Sequence, residues 1–98
     1  MKTWAFIYKT QGASPDVHKA DLKSETRRSL IYGVSSIEEG AALAKRLMLE
    51  DDCKLIELCG GFGVDGTKKV IAAVEGKIPV GYIDYFPEER KKLSIMKD

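Results

Sequence analysis

The chain has 98 residues, 44% of them hydrophobic and 32% charged, and its sixteen basic and fifteen acidic residues leave a net charge of +1. Size and composition describe one soluble globular domain with a single core. The charge balance removes the electrostatic case for DNA, RNA or an anionic membrane as partner. The apolar run at the N-terminus stops at Tyr8, too short for a signal-peptide core or a membrane span, so a cytoplasmic location is expected.

"WAFIYK", Trp4 to Lys9, is rich in β-favouring residues and almost unbroken in hydrophobicity, the pattern of a strand buried on both faces. Gln11, Gly12 and Ala13 then form a loop. Ser14 is placed to cap a short helix with Pro15 in its first position, running to about Leu22. "TRRSLIYGV", Thr26 to Val34, reads as a second strand.

A clearer helix follows. Ser36 and Glu39 have capping-box spacing, and Ile37, Ala41, Ala44, Leu47 and Met48 recur at helical intervals. Gly40 costs such a helix about 1 kcal/mol relative to alanine, which close packing against the sheet would offset. Lys54 to Cys59 reads as a third strand and Asp65 to Glu75 as a helix, ended by Gly76. "IPVGYIDY" supplies a fourth strand with Pro79 near its start.

Alternation of strands and helices predicts an α/β fold: a short four-stranded parallel sheet, helices on both faces, in the flavodoxin-like order 2-1-3-4. A half-barrel of four βα units is the alternative. Residues 1–84 form the domain in this reading, and 85–98 a C-terminal arm or terminal helix of the same domain. Two exposed sheet edges, with Phe86, Leu93, Ile95 and Met96 in the tail, favour a homodimer or higher homo-oligomer.

The two cysteines, Cys53 and Cys59, lie six strand steps apart, about 20 Å at roughly 3.3 Å per step. A disulfide needs Cα atoms within roughly 7 Å, so both are expected to be free thiols of a reducing compartment. Their spacing matches no zinc or thioredoxin-type motif, and no metal site is expected.

The stretch "CGGFGVDG", Cys59 to Gly66, carries the functional question. Gly61, Gly63 and Gly66 satisfy G-x-G-x-x-G between a strand and a helix, and Asp84 follows Gly66 by eighteen residues, where a dinucleotide fingerprint puts its ribose carboxylate. Against NAD or FAD stand the late position of the motif, the single strand after it, and the negative charge of Asp65; the cofactor, if any, is left unknown. A weaker anion site survives these objections. Amides of Gly61, Phe62 and Gly63 would form a nest at a helix N-terminus, with Gly60 in the turn and Lys9, Thr10 and Gln11 adding polar contacts from the loop after the first strand. Tyr82 or Asp84 would close the far side. The plainer alternative is a sharp turn in which Asp65 caps the helix.

Period-two alternation puts Leu55, Glu57 and Cys59 on one face of the third strand. Glu57 is either a general base with a raised pKa or a carboxylate held by Lys9, Arg27, Arg28 or Tyr32. Cys59 beside a helix start is either a nucleophile or a small hydrophobe. His18, the one histidine, would be its base, with Glu57 as orienter; otherwise it faces solvent.

"IELCGGFG", Ile56 to Gly63, resembles a family of small prokaryotic α/β proteins of unknown function, which pairs such a stretch with an opening strand like "AFIY" and a closing strand like "KIPVGYI". The likeness covers most of residues 4–84. It implies no reaction, and it marks Glu57, Cys59, Gly60, Gly61, Phe62 and Gly63 as the positions of interest. Three functions are compatible with these residues: binding of a small anionic ligand at the glycine corner, a small enzyme using Cys59 or Glu57 with His18, or an oligomeric structural or protein-interaction module.

Overall fold

The computed structural model describes residues 1–97; Asp98, the last residue of the expected C-terminal arm, lies outside the described residues. The chain runs through β1 (Lys2–Lys9), β2 (Lys19–Lys23), β3 (Arg27–Val34), α1 (Ile37–Glu50) and β4 (Cys53–Leu58). A 3-10 turn (Gly60–Phe62) leads directly into α2 (Gly63–Ala73), followed by β5 (Val80–Tyr82), α3 (Pro87–Arg90) and a second 3-10 turn (Lys91–Met96).

The strands form one open sheet in the order β2-β3-β1-β4-β5. β1 is parallel to both β3 and β4, and β4 is parallel to β5. The four expected strands thus stand in the expected order. The sheet nevertheless has a fifth strand, β2, antiparallel to β3 at the edge, so it is mixed rather than purely parallel.

β2 occupies the segment read as a short helix. Ser14 and Pro15 do start a turn: Val17 and His18 N–H donate to the Ser14 carbonyl at 3.1 and 2.7 Å. The turn stops there, because from Lys19 onward every residue has a β3 partner, Lys19 with Tyr32 through Lys23 with Arg28. The Asp21 carboxylate accepts from Arg28 Nε and Nη2 at 3.1 and 2.9 Å. Arg28 Nη1 also donates to Asp51, the C-cap of α1, at 3.2 Å. One guanidinium therefore ties the edge strand to the end of a helix.

The second correction concerns layering. Both crossovers, β3 to β4 through α1 and β4 to β5 through α2, move in the same direction across the sheet. Right-handed connections then put both helices on the same face, and α1 packs against α2. The core is the single layer between them and the sheet: Ala5, Ile7, Leu30, Val34, Ile56 and Leu58 face Leu43, Ala44, Leu47, Val70 and Val74. On the opposite face Trp4, Phe6 and Tyr8 remain half-buried, and no helix of the described residues covers them.

α1 begins as its sequence requires, with the Ser36 hydroxyl accepting from Glu39 N–H at 3.1 Å. The return bond is displaced by one residue: Glu39 Oε1 accepts from Ser35 N–H at 2.8 Å, not from Ser36. Gly40 is explained by a neighbour other than the sheet. A Cβ placed on it would lie 2.6 Å from the ring of Phe62, so the bare backbone is what seats that ring.

Two outcomes test this account. Gly40→Ala gains about 1 kcal/mol of helix propensity but overpacks the buried Phe62 ring at a typical cost of about 1–3 kcal/mol. It should therefore lower Tm by several degrees, whereas Gly81→Ala, with open space at its Cβ, should leave Tm nearly unchanged in the same thermal melts. The second concerns acid. The hydrogen bond from Arg28 holds the Asp21 carboxyl below its ordinary pKa, so this stabilisation is present above about pH 4 and lost as pH falls through the lowered native value. Arg28→Gln should melt earlier than wild type at neutral pH, and the gap should narrow as pH falls below about 4, measured by calorimetry across the range.

Candidate functional site

β4 ends at Leu58, and the next residues carry the chain over the sheet edge into α2. Cys59 N–H still donates to the Ile7 carbonyl at 3.1 Å, while Cys59 Sγ accepts from the N–H of Lys9 at 3.2 Å. Sulfur thus completes the β1–β4 ladder where a carbonyl would otherwise be needed. Gly63 then takes φ 61° and ψ −172°, a conformation essentially reserved for glycine. That kink turns the chain from the 3-10 turn into α2 and drops Phe62, 2% exposed, into the core.

The expected three-amide nest takes a different form. Phe62 N–H donates to the Cys59 carbonyl at 3.1 Å and Gly63 N–H to that of Gly60, so both are spent inside the turn. Gly60 and Gly61, which open it, line a cleft of about 550 Å3 together with Gly63, Tyr82, Asp84, Tyr85, Arg90 and Leu93. The floor is glycine backbone, one wall is the chain leaving β5, and the roof is the tail.

Arg90 of α3 is the cation of this cleft. Its Nη2 donates to both Asp84 carboxylate oxygens at 2.9 and 3.1 Å and to the Tyr85 carbonyl at 3.1 Å. Asp84 also accepts from its neighbour's N–H, Tyr85, at 2.8 Å. That backbone bond and then Arg90 hold its carboxyl below the usual range. Among the described residues all of Arg90's bonds run through Nη2, and Nε and Nη1 make none there.

The other expected residues are distributed unevenly. The side-chain stem of Lys9 lies against Gly61. Thr10 instead turns towards β3, its N–H donating to the Val34 carbonyl at 2.9 Å, and neither Thr10 nor Gln11 lines the cleft. The reason is topological. The link leaving β1 leads to an edge strand rather than a helix, so no second helix flanks the β1–β4 crevice, and the concavity forms one strand further along. Arg90, Tyr85 and Leu93 were not assigned to the site from sequence; the bend that brings them back depends on residues far from the glycines.

The catalytic trio is not gathered. His18 precedes β2 and Cys59 follows β4, with β3 and β1 between them, about 14 Å across at roughly 4.8 Å per strand. His18 Nδ1 accepts from Ser14 N–H at 3.0 Å within its own turn. Glu57 is exposed on the uncovered face, opposite Phe6 and Gly81. Both cysteines are free. Cys53 is buried, its thiol donating to the Leu55 carbonyl at 3.3 Å, and burial pushes its pKa up. Among the described residues no cluster of three His, Cys, Asp or Glu side chains is placed to hold a metal, and no helix is long and apolar enough to cross a membrane.

No curated protein and no solved structure matches this chain. A family model does, over residues 2–98, and its span includes the tail that the resemblance of the strands and glycine corner left out. The chain belongs to DUF6506, a family of unknown function.

Proposed function

We propose that the chain binds a small anionic organic molecule in the cleft between the glycine corner and the tail. The observation that carries this reading is Arg90. Asp84 holds the guanidinium by one nitrogen only, above a floor of glycine backbone at the start of α2. A carboxylate or phosphate can take the remaining guanidinium donors in the forked geometry that arginine favours. Amides of Gly60 and Gly61 and the positive end of α2 favour the same charge. Lys9, whose stem rests on Gly61, adds a second cation within reach.

The remainder of the ligand would lie against Tyr82, Tyr85 and Leu93, all partly exposed. The cleft volume, about 550 Å3, falls within the range typical of small-molecule sites, roughly 300–1,000 Å3. Asp65 in the first turn of α2 and the carboxylate of Asp84 set a limit on the anion's charge and position. A monoanion meeting Arg90 from the side away from Asp84 suits the arrangement better than a pyrophosphate laid along the corner. The two free thiols suit a reducing compartment such as the cytoplasm.

A thermal-shift screen against phosphorylated metabolites and small organic acids tests the proposal. A selective ligand at a hundredfold excess over its Kd stabilises by about 2.7 kcal/mol, a shift of more than ten degrees for a domain of this size. Arg90→Gln, at an exposed position, should leave the unliganded Tm nearly unchanged and weaken binding at least tenfold, as expected for a charged hydrogen bond of about 1.5–3 kcal/mol. Stabilisation by all salts alike, or an undiminished response in Arg90→Gln, would overturn the assignment.

A further inference from the structure

β1 is the central strand of the sheet, and its sequence does not alternate. Ala5 and Ile7 face the helices and are 0% exposed, while Trp4, Phe6 and Tyr8 point the other way. Strands apolar on both sides occur where both sides are covered, yet the helices cover one. Around these three aromatics the same face gathers Ile31 of β3, Leu55 of β4, and Leu22 of β2, which is 56% exposed. We propose that this uncovered sheet face is the interface of a homodimer in which two copies stack sheet against sheet.

The surface is built for burial in its details. Trp4 Nε1 donates to Ser29 Oγ at 2.6 Å on the face itself, so the indole leaves no unmet donor when water is removed. The Tyr8 ring lies over Gly33, where any Cβ would come within 2.6 Å of it. A large side chain is thereby folded down onto the neighbouring strand, which keeps the face level enough to meet another sheet at the usual separation of about 10 Å.

Extent agrees with a dimer. An eight-residue β1 is roughly 26 Å long, and four strand spacings of roughly 4.8 Å add about 20 Å of width, giving on the order of 500 Å2 in projection. With the relief of the side chains this approaches the roughly 800 Å2 per partner of a standard interface.

Charge identifies the occupant as a second copy. Lys2 and Arg27 are register partners at the start of their strands, and with Lys54 they rim a depression of about 340 Å3 over Trp4 and Leu55. Glu57 borders the same depression and pairs with Phe6, nearer the carboxyl end. Lys54 is engaged by Asp52 at 2.9 Å; among the described residues no cation is within salt-bridge reach of Glu57. A two-fold axis lying across the strands sets the sheets antiparallel. It brings each Glu57 over the basic end of the other copy and each Phe6 towards the other's Trp4. Such self-complementarity is what an isologous interface requires.

Sedimentation equilibrium of the full chain tests this, with emission of the sole tryptophan, Trp4, as a second readout. Wild type should sediment at twice the chain mass at roughly 100 μM, since interfaces of about 1,600 Å2 bind at micromolar Kd or tighter. Its Trp4 emission should shift to the red on dilution. Phe6→Glu should be monomeric. Leu22→Lys, at an exposed position whose replacement the isolated fold tolerates, should raise the dimer Kd at least tenfold with unchanged circular dichroism. A wild-type monomer at that concentration overturns the proposal. So does a dimer that persists undiminished in folded Leu22→Lys and is abolished instead by Ile95→Glu in the tail. Phe6 and Leu22 both lie outside the Arg90 cleft, so ligand binding and dimerisation stand or fall separately.

Discussion

The ring of Phe62 resting on the bare backbone of Gly40 holds the two halves of this fold in register. Phe62 belongs to the corner that turns β4 into α2, and Gly40 to the second turn of α1. Their contact couples the direction of the corner to the helix that crosses β1. Gly63 makes the contact possible by accepting a backbone conformation closed to other residues, and Gly66 continues it, its Cα close to Ile37. The glycines of the motif therefore act first on packing. They bring α2 down against α1, and only the two that open the turn, Gly60 and Gly61, are left facing the strand ends.

Layering follows from chain direction. Two successive right-handed crossovers to the same side must place both helices on one face. A return link from β1 made of a turn and an edge strand supplies no helix for the other. The protein thus has one deep layer of contacts and one broad, level, aromatic face. The helices of this chain cover one face of the sheet, and a second copy would supply the missing layer without further sequence. The same economy places the candidate ligand site at the end of the sheet, where the chain leaving β5 doubles back and Arg90 is tied to Asp84.

Much of the architecture was legible in the sequence because it is written locally. The Ser36 cap, the periodicity of α1, the strand runs and Gly76 at φ 66° are statements about neighbouring residues. Four strands and their order followed from these with the handedness of crossovers. β2 was not legible, since "KADLK" has no pattern of its own that prefers a strand. It extends because β3 offers a ladder and Arg28 a partner for Asp21. The site was legible in half. Gly60, Gly61, Gly63 and Asp84 meet at one cleft, while Thr10 and Gln11, expected there from the loop after β1, lie outside it, because that loop leads to an edge strand and not to a helix flanking the crevice.

Taken alone, the amino-acid sequence determined the class, the alternation of strand and helix from β3 to β5, the free state of both thiols, and a glycine corner at the carboxyl edge of the sheet. These rest on short-range chemistry: φ preferences, caps, apolar periodicity and the reach of a strand between two cysteines. Only the tertiary structure decided which face the helices take, which glycine amides remain unspent, and which cation meets the corner. Each of those depends on contacts between residues distant in the chain, Phe62 with Gly40, Cys59 with Lys9, Arg90 with Asp84. Local patterns rank the residues that can make such contacts, and the packing of the whole core selects among them.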